Sequence, residues 1–150
     1  MTTQARQPMV EHLDRLYCQH ILNSMWAEAV GYRLEGLPLM ILQDDLKQIA
    51  QSHRATAVIL AERITDLGSA PTADPRLIVA RSAGGDFALP EDCSSARQIL
   101  DQAVAAVTGT VAAYRAALDA VTGDPVTAHV LVKLLGTQER NLADAAAANA

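Results

Sequence analysis

Apolar positions recur every three or four residues along four stretches of this chain, the spacing that places side chains on one face of an α-helix. In the first, about residues 9–35, Val10, Leu13, Tyr17, Ile21 and Glu28 fall on one stripe. Gly36 ends it, and Pro38 suits the first turn of the next helix. The second, about 38–67, carries Leu42, Leu46, Ile49, Leu60, Ile64 and Leu67 on a shared face, with Gly68 as its C-cap and Pro71 beyond. Residues 68–92 hold too many glycines and prolines for a long helix, although Asp74-Pro75 can start a short one through Arg81. The third, about 94–122, is marked by Leu100, Val104, Val107, Val111, Tyr114, Leu118 and Val121, and Gly123 stops it. Asp124-Pro125 is a cap followed by proline at the first helical position. The fourth stretch, about 125–148, runs through Ala128, Leu131, Leu135 and Leu142.

Short turns join the first helix to the second and the third to the fourth, which makes each pair antiparallel neighbours. The long link between the second and third gives an all-α, antiparallel four-helix bundle with one long crossover. A chain of 150 residues suits a single domain, here residues 1–150. Composition agrees: half the residues are apolar but only 3% are aromatic, which favours packed helices over a β-sandwich.

Charge narrows the function. A net charge of -5 and a first segment, Met1 to Pro8, whose one charged side chain is Arg6 leave nothing for a DNA-binding arm. DNA is not an expected partner. Cys18 and Cys93 lie far apart without a Cys-x-x-Cys motif and read as reduced thiols. No apolar run approaches the ~18 residues of a membrane span, and the N-terminus lacks an apolar signal core. The expected setting is cytoplasmic, without a membrane partner.

The second helix ends in Ala61-Glu62-Arg63-Ile64-Thr65-Asp66-Leu67-Gly68-Ser69-Ala70-Pro71. This tract resembles the end of the second helix in Dps-like and bacterioferritin-like members of the ferritin-like superfamily. Asp74-Pro75, Pro90-Glu91-Asp92, Tyr114 and the Asp124 turn fall where such proteins carry similar features, so the resemblance spans roughly Leu22 to Ala145. One departure is length: the stretch from Glu28 to the middle of the second helix is several residues shorter than in the bacterioferritin-like group.

The resemblance implies a ligand pattern for two metal ions: one Glu from each of the first and third helices, and a Glu-x-x-His pair from each of the second and fourth. Glu28, with Tyr32 one turn on, meets the first requirement. The second-helix pair aligns with His53 and Thr56, the third-helix Glu with Val107, and the fourth-helix pair with Gln138 and Asn141. One carboxylate and one imidazole remain, and amides and hydroxyls are poor partners for divalent cations that rely on anionic donors. The alternative Dps-type site between subunits aligns with Gly31, Gln43, Val58 and Glu62, of which only Glu62 matches. If a metal binds, Glu28, His53 and Glu62 are its candidate ligands, with iron the candidate ion; otherwise no cofactor is expected. The haem-methionine position of bacterioferritins is Arg54 here, and Met9, Met25 and Met40 read as packing.

His20 and His129 sit at no ligand-matching position, and His12 reads as solvated. Asp44-Asp45 reads as a surface pair. The resulting expectation is a Dps-like protein with a degenerate di-iron site that has lost ferroxidase activity. It would act as an oligomeric, structural or partner-binding subunit. The expected assembly is a homo-oligomer, or a hetero-oligomer with an active paralogue, with Trp26 and the run Leu37 to Leu42 contributing to contacts. Two other readings stand beside it. One is an iron-storage ferroxidase, an oxidoreductase, with an altered or intersubunit site. The other is a small-molecule pocket among Glu28, His53, Thr56, Gln138 and Asn141.

Overall fold

The computed structural model describes residues 3–149, with side chains from Arg6 onward. Four long helices, α1 (Thr3–Arg33), α3 (Gln43–Asp66), α5 (Ala96–Ala120) and α6 (Pro125–Ala148), are joined with two short ones, α2 (Leu37–Met40) and α4 (Pro75–Arg81). No strand occurs among the described residues. The long connection between α3 and α5, which carries α4, is the crossover of a ferritin-like four-helix bundle.

Local chemistry sets most of the boundaries. Asp124 accepts from the backbone N–H groups of Val126 and Thr127, with Pro125 following at the first helical position. Ser95 caps α5 by accepting from Gln98 N, and Asp74 caps α4 through Arg76 N. At the end of α3, Gly68 N donates to Thr65 O and Ser69 N to Ile64 O, a closure that Gly68 permits at φ +85°.

Two boundaries differ from expectation. Helix α1 begins at Thr3 rather than about residue 9, and Arg6 Nη1 donates to Leu67 O at 2.9 Å. That bond satisfies a carbonyl at the end of α3 and ties the first turns of α1 to the bundle. The second long helix begins at Gln43 rather than Pro38, because α2 and a turn at Ile41–Leu42 intervene. Gly36, at φ +92°, lets the chain reverse there, while Leu39 and Leu42 fold in against the core.

The interior falls into two apolar clusters. One joins Met9, Leu13 and Leu16 of α1 with Leu60, Ile64, Tyr114, Ala117, Leu131 and Leu134. The other joins Ala27, Val30 and Leu34 of α1 with Leu46, Ala50 and Ile99. Ile49, expected on the inner face of the second long helix, is exposed, and Ala50 occupies the core in its place.

Candidate functional site

A belt of buried polar side chains separates the two clusters: Asn23, His20, His53, Thr56, Thr110 and Gln138. Each sits one helical turn from a core residue of its own helix, so the apolar packing on both sides fixes its position. His20 Nδ1 lies 2.9 Å from His53 Nδ1, and His20 Nε2 lies 2.7 Å from Tyr114 Oη. With Tyr114 donating to His20 Nε2, His20 carries its proton on Nδ1 and donates to His53 Nδ1, leaving His53 protonated at Nε2. The reverse order would leave the Tyr114 hydroxyl hydrogen without an acceptor among its bonded partners.

Electrostatics keep this chain neutral. Burial, helped by the neighbouring His53, pushes the His20 imidazole down to about 3. Burial alone pushes His53 down to about 4, and it drives the Tyr114 phenol well above its usual range. Beside the pair, Asn23 accepts from Gln19 at 2.8 Å and donates to Thr110 at 3.3 Å.

This arrangement does not fit a ferritin-type metal centre. A histidine binds metal through a nitrogen lone pair, and in the satisfied arrangement both lone pairs, His20 Nε2 and His53 Nδ1, already accept hydrogen bonds. Thr56 donates its hydroxyl to Ser52 O on its own helix. Gln138 is buried, and its Oε1 is an acceptor without a partner, but a neutral carbonyl cannot balance cationic charge. Among the described residues no three His, Cys, Asp or Glu side chains converge on one point.

The expected residues separate accordingly. His53, Thr56 and Gln138 are buried at the middle of the bundle, and Val107 and Asn141 are half-buried. Glu28 is not in the site: it is exposed, as is Tyr32. The reason is local to the last turns of α1, where the buried positions are Ala27, Val30, Gly31 and Leu34; at 100° per residue Glu28 lies about 110° around the helix from the middle of that group. Glu62 is exposed and nine residues beyond His53 on α3, about 13 Å along the axis, so one chain cannot bring both to one ion. Gln43 and Val58 are also exposed, while Gly31 faces Leu46, whose Cβ would lie 3.6 Å from a Cβ added there. His20, given no role from sequence, is the central residue of the belt. The signal that could have found it is its spacing from Leu13, Leu16, Ala27 and Val30, all of them buried.

A second polar cluster sits at the end of the bundle. Arg63 donates to Asp124 at 2.9 Å and to Thr127 at 2.8 Å, and Thr127 donates to Asp124 at 2.6 Å. Burial would raise the Asp124 carboxyl, but the bonds from Thr127 and Arg63 and the Arg63 charge hold it at about 2. Arg63 belongs to the tract that ends α3, so that motif locks α3 to the start of α6.

A bundle with this crossover and this belt belongs to the ferritin class of architectures, and comparison with known proteins agrees. The family model described as Ferritin-like domain matches residues 14–148, and the chain belongs to that family. Among solved structures, a Dps1 mutant from Mycobacterium smegmatis superposes with a TM-score of 0.88 at 16% identity, covering 100% of both chains. A Dps homologue from the archaeon Halobacterium salinarum gives 0.87 at 23% identity over 100% of this chain and 83% of that one. A bacterioferritin-related protein from Bacteroides fragilis, described as a dodecameric thioferritin, gives 0.84 at 19% identity over 93% and 83%. No curated protein matches the chain. No helix among the described residues is long and apolar enough to cross a membrane.

Proposed function

We propose that this chain is a ferritin-like subunit without a ferroxidase centre of its own, acting through assembly with further copies or with a partner subunit. The observation that carries this reading is the Tyr114–His20–His53 chain, in which the imidazole lone pairs at the bundle centre are used internally and no carboxylate joins them. Surface chemistry supports the assembly half. Tyr32 is 77% exposed, Leu37 87% and Ile41 77%, all at one end of the α1–α3 pair, where apolar contact with another chain would remove them from water. The dodecameric description of the Bacteroides fragilis relative is consistent with assembly in this chain too.

The test combines two measurements on the purified protein. Anaerobic Fe(II) is added, oxygen is admitted, and the oxidation rate is compared with buffer; sedimentation gives the mass. Oxidation at the buffer rate in a species larger than one chain is the expected result. Fast oxidation of one or two irons per chain would overturn the reading and move the ligand search to the exposed acids Glu28 and Glu62 at a subunit boundary. A monomer with no partner would overturn the assembly half.

A further inference from the structure

Between α1 and α5 the bundle opens into a groove of about 300 Å³, lined by Asn23, Trp26, Phe87, Gln102 and Gly109 among others. It lies outside the histidine pair. Its third wall is the returning crossover, pinned where Gly84 N donates to Gln19 Oε1 at 2.9 Å. Gly85, at φ +70°, makes the turn that brings Asp86 and Phe87 to the opening.

Gly109 is the telling residue. It sits inside α5, where glycine costs about 1 kcal/mol relative to alanine. A Cβ there would meet nothing within 4 Å, so packing within this chain does not demand it. What glycine provides is close approach of another molecule to the helix backbone. Side-chain amides with unused donors also line the groove. Trp26 Nε1 donates to Gln102 Oε1 at 2.8 Å, which uses the Gln102 carbonyl and leaves its amide hydrogens free to donate. Asn23 spends its carbonyl on Gln19 and one N–H on Thr110, leaving one N–H. Asp86 is the one charged side chain in the lining, so nothing there compensates an anionic ligand.

We propose that this groove binds a planar, uncharged nitrogen heterocycle of about the size of a nucleobase. Trp26 and Phe87 supply aromatic surface. Gln102 and Asn23 donate to ring nitrogens or carbonyls, and Asp86 accepts from an exocyclic amine. The volume is at the small end of ligand pockets, which suits a bicyclic ring and not a larger cofactor.

The chain has one tryptophan, so emission excited at its red edge reports on the groove directly. Adenine titrated into the full-length protein should change that emission saturably, and adenosine monophosphate should bind more weakly because of Asp86. Gly109→Leu should melt no lower than the parent, since leucine is the better helix former, and should weaken adenine by more than about tenfold by filling the space. Phe87→Ala should weaken it severalfold through lost aromatic contact. A linear, unsaturable change up to adenine solubility would overturn the proposal, as would undiminished binding in Gly109→Leu. So would a Gly109→Leu variant whose sedimenting mass changes while adenine leaves the parent emission unaltered, because the groove would then be a contact between copies.

Discussion

The two ends of α1 bury aliphatic surface, while its middle buries hydrogen bonds. Around Leu13 and Leu60 the helices meet through aliphatic side chains that need no particular partner atom. Around His20 each buried nitrogen needs one specific neighbour at a specific distance. The first kind of packing tolerates small adjustments of one helix against another; the second permits one register and one set of proton positions. The middle of the bundle thus holds its buried polarity in a neutral form.

Acid should separate the two regions most sharply. Both histidines have folded values below the unfolded one near 6.5, so the unfolded chain binds more protons than the folded chain as pH falls from about 6.5 towards 4. Their contribution is fully present above that window and is lost on acidification. Two histidines at about 1.4 kcal/mol per pH unit each lower unfolding free energy by on the order of 4 kcal/mol between pH 7 and 5. Denaturant melts at the two pH values measure it, with His53→Phe expected to roughly halve the slope. A flat profile would mean that the pair is hydrated in solution.

In the apolar region the expected loss does not depend on pH. Leu60→Ala should cost about 2–5 kcal/mol, the same at pH 7 and at pH 5. Tyr114→Phe is the matched change in the belt. It removes one hydroxyl, leaves His20 Nε2 without its donor, and should cost about 1–3 kcal/mol at pH 7. Because a freed Nε2 accepts a proton more readily, the acid loss should also shrink in that variant, which a size effect alone would not produce.

The smallest effect lies at the bundle end. Asp124→Ala removes the cap of α6 and the partner of Arg63, for about 1–2 kcal/mol. The Asp124 carboxyl is held below its unfolded value, so its contribution is present above about pH 4 and fades as pH falls towards 2. The parent and the variant should therefore lose the same stability between pH 7 and 5, and urea melts on both check it.

The sequence made the helix ends legible because their determinants are local: Gly68, Asp74-Pro75 and Asp124-Pro125 act on neighbours within a few residues. His53, Thr56 and Gln138 are placed inside by counting from the tract that ends α3 and from Tyr114, with the helical period in agreement, although the same period also puts the exposed Ile49 on the inner face. Helix α1 is where the reading went astray. Its first part agrees with the stripe, since Val10, Leu13 and Ile21 are buried and Tyr17 is half-buried; beyond His20 the buried face runs through Ala27, Val30, Gly31 and Leu34, and the last member of the stripe, Glu28, lies outside it. Resemblance to a carboxylate-bearing family favoured the glutamate over a histidine with no assigned place. The Trp26 bond to Gln102 was equally illegible, since it joins residues 76 positions apart.

The proton shared by His20 and His53 carries one more implication. Its two nitrogens sit between the apolar clusters, with His20 fully enclosed. Solvent deuterium reaches such a site only when the surrounding helices part. The lifetime of that single proton is therefore a clock for opening at the molecule's centre, and set against amide lifetimes in α1 and α3 it tells whether the bundle breathes helix by helix or comes apart as one unit.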